Sequence, residues 1–174
     1  KVTGLESVFF CNSGTEANEA AIKFARKWGG ERKNIIAANG GFHGRTMGSL
    51  SATGQTKLWD GFTPMLPGFS FVDFNDIEQI VNSIDKTTCA IMVEPIQGES
   101  GVIVPDENYL IELRKICDEN DLLMILDEVQ TGIGRTGKLF AHQWYGIKPD
   151  ILTSAKGIAN GLPLGAVICS DKIS

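Results

Sequence analysis

Three short apolar runs each end on a charged residue. Cys89–Val93 (CAIMV) runs into Glu94, Leu122–Leu126 (LLMIL) into Asp127, and Ile151–Ala155 (ILTSA) towards Lys156. Uninterrupted runs of this length predict strands buried on both faces. Ser7–Phe10 (SVFF), Asn34–Ala38 (NIIAA), Phe69–Phe74 (FSFVDF) and Gly165–Cys169 (GAVIC) are further strand candidates. Amphipathic helices lie between them. In TEANEAAIKFARKWGG, Ala17, Ala21, Phe24 and Trp28 share one helical face. Ser13 and Glu16 have capping-box spacing, and Gly29-Gly30 stops the helix. Ile77, Ile80, Val81 and Ile84 form a second stripe, and Tyr109–Glu119 a third helix with Leu110, Leu113, Ile116 and Cys117 apolar. Buried strands alternating with such helices predict an α/β fold, a mostly parallel sheet with helices on both faces.

The 174 residues suffice for one domain with a substantial core. A net charge of −5 disfavours a nucleic-acid surface. No apolar run approaches the ~20 residues of a membrane-spanning helix, so no membrane partner is expected. With no signal-peptide pattern and four cysteines lacking any CxxC, a reducing, cytoplasmic setting is expected. Three of those cysteines read as small core residues. Two histidines are too few for a His-rich zinc site, and no metal is expected. The chain starts on Lys1 and both ends lie close to strands, which suggests a piece of a longer protein.

In largely parallel sheets, ligands bind beyond the carboxyl ends of the strands. The segments NSGTE, FHGR, EPIQGE, DEVQTG and AKG are expected there, which predicts one composite site. The start of the NSGTEANEA helix is either an anion site or an ordinary capped end. GIGRTG matches the dinucleotide pattern G-x-G-x-x-G, but DEVQT separates it from its strand. It reads better as a loop needing positive φ and close backbone approach; an NAD-binding domain is the alternative from another class. KLFAHQWYGIKPD is a short helix candidate. Small and apolar neighbours are expected to desolvate Lys156 and lower its pKa, making a nucleophilic amine; a surface lysine is the bland alternative. Arg45 could clasp a carboxylate, Phe42 could stack on a ring, and His43 is expected to be satisfied by local hydrogen bonds. Of Glu94 and Glu99, one is expected to orient its loop and the other to pair with a cation. Glu128 should point away from Asp127 and has no assigned chemistry.

Taken together, VFFCNSGTEANEAA, GGFHGRTMGSLSATGQ, IMVEPIQGESG, LDEVQTGIGRTG and PDILTSAKGIANGLPLGA resemble, in order and over nearly the whole chain, the class III (ornithine-type) aminotransferases. The resemblance implies pyridoxal 5'-phosphate (PLP) as cofactor and the large domain of the fold type I transferases. Residues 1–174 would be its central part, without the N-terminal segment and C-terminal small domain. It implies Lys156 as the Schiff-base lysine and Asp127 as the partner of the pyridine nitrogen. Val129 and Phe42 would pack on the two ring faces, and Gln130 would bind the phenolic oxygen. Gly14 and Thr15 would hold the phosphate, and Arg45 the substrate α-carboxylate. Glu99 would be a gate acid whose arginine lies outside this sequence. Ser100 stands where glycine or alanine is usual. Within the class, FHGRTMGSLSATGQ and GFTPMLPGF look most like the N-acetylornithine group. That implies an amino donor, 2-oxoglutarate as acceptor, arginine biosynthesis and a homodimer at full length. Ornithine, 4-aminobutyrate or succinylated diamines are alternative donors, and a fold without activity of its own is a further alternative.

Overall fold

The apolar runs form the centre of one seven-stranded sheet in the computed structural model, which describes residues 2–174. The elements are β1 (Ser7–Cys11), α1 (Gly14–Trp28), β2 (Asn34–Ala38), α2 (Met47–Ala52), β3 (Phe69–Val72), α3 (Ile77–Ser83), β4 (Thr88–Val93), α4 (Tyr109–Glu119), β5 (Leu123–Asp127), β6 (Ile151–Ser154) and β7 (Gly165–Cys169). Strand order is β1-β7-β6-β5-β4-β2-β3. The block β3-β2-β4-β5-β6 is parallel throughout. Only β7 runs against its neighbours, pairing antiparallel with both β6 and β1. The expected mostly parallel sheet is present, and the reversed strand β7 is the addition.

Alternation along each strand divides the core into two layers. On one face, Ala21, Ile22 and Ala25 of α1 pack over Ile35, Ala90, Met92, Leu123, Ile125 and Val167. On the other, Ile80 of α3 and Leu110, Leu113 and Cys117 of α4 cover Ile36, Ile91, Val93, Met124 and Leu126. Both faces of β4 and β5 are therefore closed to water, which is why these strands carry no polar alternation. Because β4, β5 and β6 are parallel, their carboxyl ends share one edge. Glu94, Asp127 and Lys156 all stand at that edge.

Several local expectations change. Ser13 caps α1 by accepting from Glu16 N at 3.3 Å, but the Glu16 carboxylate bonds Asn12 N at 2.8 Å rather than Ser13 N. The capping box is thus half formed and offset by one residue. In α3 only Ile80 is fully buried, while Val81 is 51% exposed, because the short helix touches the core along one line. KLFAHQWYGIKPD contributes only a single 3₁₀ turn, Ala141–Trp144. The glycine-rich stretch after β2 holds a buried helix, α2, that no apolar stripe announces. Cys89, Cys117 and Cys169 are buried and all four cysteines are free. Among the described residues, no helix is long and apolar enough to cross a membrane.

Candidate active site

The end of β5 carries two acids that point opposite ways, as strand alternation requires. Asp127 faces the loops after β2 and the side of α1; Glu128 faces the segment that follows it. Both are buried, and each is bonded to one of the chain's two histidines. His43 Nδ1 lies 2.8 Å from Asp127 Oδ2, and His142 Nδ1 lies 2.8 Å from Glu128 Oε1.

Asp127 is fixed by four donors. Oδ2 accepts from Asn18 Nδ2 at 2.7 Å as well as from His43. Oδ1 accepts from Val129 N at 3.0 Å and Thr153 Oγ1 at 3.4 Å. Asn18 also donates to the His43 carbonyl at 2.7 Å, tying α1 to the FHGR loop. Its own Oδ1 and His43 Nε2 are buried without a partner. The expectation of a locally satisfied His43 is therefore only half met. Burial alone would lower the His43 pKa, but the hydrogen bond and charge of Asp127, with the charge of Glu94, outweigh it and leave it raised.

Glu94 accepts from Phe42 N at 2.9 Å and Gly98 N at 3.4 Å, so it does orient its loop. Burial pushes its pKa up to about 7, with His43 acting against that shift and Asp127 adding to it. Glu99 and Arg45 are exposed, and neither forms an ion pair among the described residues. The Arg45 guanidinium lies 5.8 Å from the centre of the Phe42 ring.

Lys156 departs from expectation. Its apolar flanks do not bury it, because the backbone turns left-handed there, φ +49°, and the side chain leaves the sheet into open space. Ser154 and Ala155 take the buried positions instead. The Lys156 ammonium donates to the carboxamide oxygen of Gln130 in a short contact. GIGRTG is the expected loop: Gly134 and Gly137 have φ of +82° and +89°, and the segment leads into turns rather than a helix. Its geometry is therefore not that of a strand-to-helix dinucleotide turn.

Every site residue named from the resemblance lines one cavity of about 630 Å³. They are Gly14, Thr15, Phe42, Arg45, Glu99, Asp127, Val129, Gln130 and Lys156, and Asn18, His43 and Glu94 join them. The first N–H groups of α1, at Gly14 and Thr15, have no intrahelical partner and open at its positive end. Gly14 is required by close approach: a Cβ there would meet Val129 Cγ1 at 2.8 Å. A buried carboxylate, a helix N-terminus and a lysine in one cavity have the chemistry to take a ring cofactor with a phosphate and a reactive carbonyl. Asn18, absent from the motif-based expectations, does carry a signal in the sequence. It lies three and seven residues before Ala21 and Ala25, a polar side chain on the buried face of α1.

A family model described as aminotransferase class-III matches residues 1–174. An acetylornithine aminotransferase of Caldanaerobacter subterraneus subsp. tengcongensis is 57% identical over 94% of this chain and 43% of its own length. One from Methanocaldococcus jannaschii is 50% identical over 100% of this chain and 45% of its own. The ornithine aminotransferase of Toxoplasma gondii, described with partial occupancy of PLP at its active site, superposes with a TM-score of 0.94. It is 36% identical over 98% of this chain and 43% of that one. N-acetylornithine aminotransferase from Stenotrophomonas maltophilia gives 0.80 at 39% identity, over 97% and 42%. The chain thus spans less than half the length of the curated relatives it matches.

Proposed function

Since this chain belongs to the class III aminotransferases, a PLP-dependent enzyme family with the α/β fold seen here, we propose that its cavity is the cofactor site of an aminotransferase acting on the terminal amine of N-acetylornithine, with 2-oxoglutarate as acceptor. Residues 1–174 would form the central part of the large domain, working as a cytoplasmic homodimer with the rest of the protein, in arginine biosynthesis. The observation that carries this is the meeting of an exposed lysine, a buried carboxylate with four donors and an open helix N-terminus in one cavity.

PLP, when bound, supplies an electron sink for the carbon that loses its proton. The residues of this chain do the rest. Asp127, immobilised by Asn18, His43, Val129 and Thr153, would hold a pyridinium nitrogen without reorganising. Gly14 and Thr15 would bind the phosphate through N–H groups at the positive end of α1. Val129 and Phe42 would form the two walls of the slot. Gln130 accepts from the Lys156 ammonium and would bind the ring's phenolic oxygen. Lys156 Nζ would carry the cofactor and, once released, take and return a proton between substrate and cofactor carbons. Arg45 would bind the substrate carboxylate as a bidentate fork, and Glu99 would pair with a cation from outside this sequence.

Half-reactions of the full-length protein with single amines test the substrate. N-acetylornithine should discharge the PLP absorbance fastest, and 2-oxoglutarate should restore it. Faster discharge by ornithine or 4-aminobutyrate would move the assignment within the class.

A further inference from the structure

Glu94 is a buried acid of the cavity that orients its loop but is bonded to no other side chain among the described residues. It closes β4, is 6% exposed, and lines the cavity beside Asp127 and His43. Its two donors are backbone N–H groups of different loops, Phe42 in the FHGR loop and Gly98 in the EPIQGE loop. No side chain is bonded to its carboxyl among the described residues, unlike those of Asp127 and Glu128, each of which is bonded to a histidine. A buried carboxylate held only by two amides pays a desolvation cost that a proton relieves.

We propose that Glu94 is a proton-holding, positioning residue of the cofactor site. It joins the loop of Phe42 and Arg45 to the loop of Glu99. By gaining or losing one proton at its carboxyl it also sets the net charge that the Asp127–His43 pair presents to the cofactor ring. This rests on the PLP site proposed above. With both carboxyls ionised and the imidazole protonated, the three groups carry one net negative charge; with Glu94 protonated they carry none. The other charged groups lining the cavity are Arg45 on the FHGR loop, Glu99 on the EPIQGE loop and Lys156 beyond β6, all exposed to water and so screened. His43 and Asp127 are the neighbours that act on Glu94 through a dry interior. Burial raises its pKa to about 7, so its carboxyl changes charge near neutral pH.

Two measurements on the full-length protein decide this. In the cofactor-free form with ¹³C-labelled glutamate, one carboxyl carbon should titrate near 7 and vanish in Glu94→Gln. Titration of every glutamate in the ordinary range, about 4 to 5, overturns the proposal whether or not the variant folds. Second, PLP dissociation constants are compared across pH, so that the cofactor's own titration cancels in the ratio. Glu94→Gln should bind roughly tenfold more weakly than wild type at about pH 8.5 and within about twofold at about pH 5.5. Glu94→Asp, which keeps the acid, should keep the inflection. A ratio independent of pH overturns the proposal. If wild type binds no PLP, the cofactor site itself is wrong, and the carboxyl titration still reports on Glu94's proton.

Discussion

At the scale of single residues, the adjacent acids Asp127 and Glu128 divide two jobs. Asp127 is aimed into the cavity. Glu128, fully buried, accepts from Ala141 N at 2.5 Å, His142 N at 2.9 Å, Thr131 Oγ1 at 3.0 Å and His142 Nδ1, and so pins the return of the GIGRTG loop. Glu128→Ala leaves those donors buried and unpaired, and should cost about 3–5 kcal/mol in urea unfolding. Loss under about 1 kcal/mol would contradict the clamp. Gly14→Ala drives a Cβ against both methyls of Val129, at 2.8 and 3.0 Å. It should destabilise by about 1–3 kcal/mol and weaken PLP binding roughly tenfold by titration, whereas unchanged binding would mean that Val129 is not a wall of the slot. That Asp127 and Lys156 stand at strand ends was legible because each follows an apolar run; the roles given to them come from the family resemblance. The burial of Asn18 has a local signal on the apolar face of α1, but its bond to Asp127 spans 109 residues of chain, a pairing that no local pattern encodes.

At the scale of elements, the strands were the most legible part. Asn34–Ala38 and Gly165–Cys169 match their runs, since burial on both faces leaves a continuous apolar signature. α4 matches Tyr109–Glu119 for the equivalent helical reason. α2 was invisible because MGSLSA is buried through small residues and held by side-chain oxygens. The Glu19 carboxylate accepts from Gly48 N at 2.7 Å and Ser49 N at 3.1 Å, capping α2 from α1. Glu19→Ala should therefore loosen α2 by about 1 kcal/mol, read as faster amide exchange at Gly48 and Ser49 with β4 and β5 unaffected. The direction of β7 was equally hidden. It is decided by the loop from Lys156 to Leu164, whose composition does not specify a reversal. Lys156 is exposed despite its flanks, because apolar flanks bury neighbours but do not fix where a left-handed residue points its side chain.

At the scale of the whole molecule, parallel strands bring separate loops to one edge, and a buried acid makes the stability of that edge depend on pH. The Glu94 pKa is raised on folding from 4.5 to about 7, so its contribution is fully present below 4.5 and is lost as pH rises through about 7. His43, also raised, loses its contribution in the same direction. Between pH 5 and 8 the cofactor-free protein should lose on the order of 3 kcal/mol relative to Glu94→Gln in urea unfolding; parallel profiles would show that Glu94 does not titrate on that scale. The sheet, its two core layers and the clustering of the five motifs follow from the alternation of runs and stripes. What the cavity carries rests on Lys156. The full-length protein should be incubated with PLP, reduced with borohydride, digested and mapped by mass spectrometry. The label should sit on the peptide containing Lys156 and disappear in Lys156→Ala. Label on another lysine, or label retained by the variant, would contradict Lys156 as the residue that carries the cofactor.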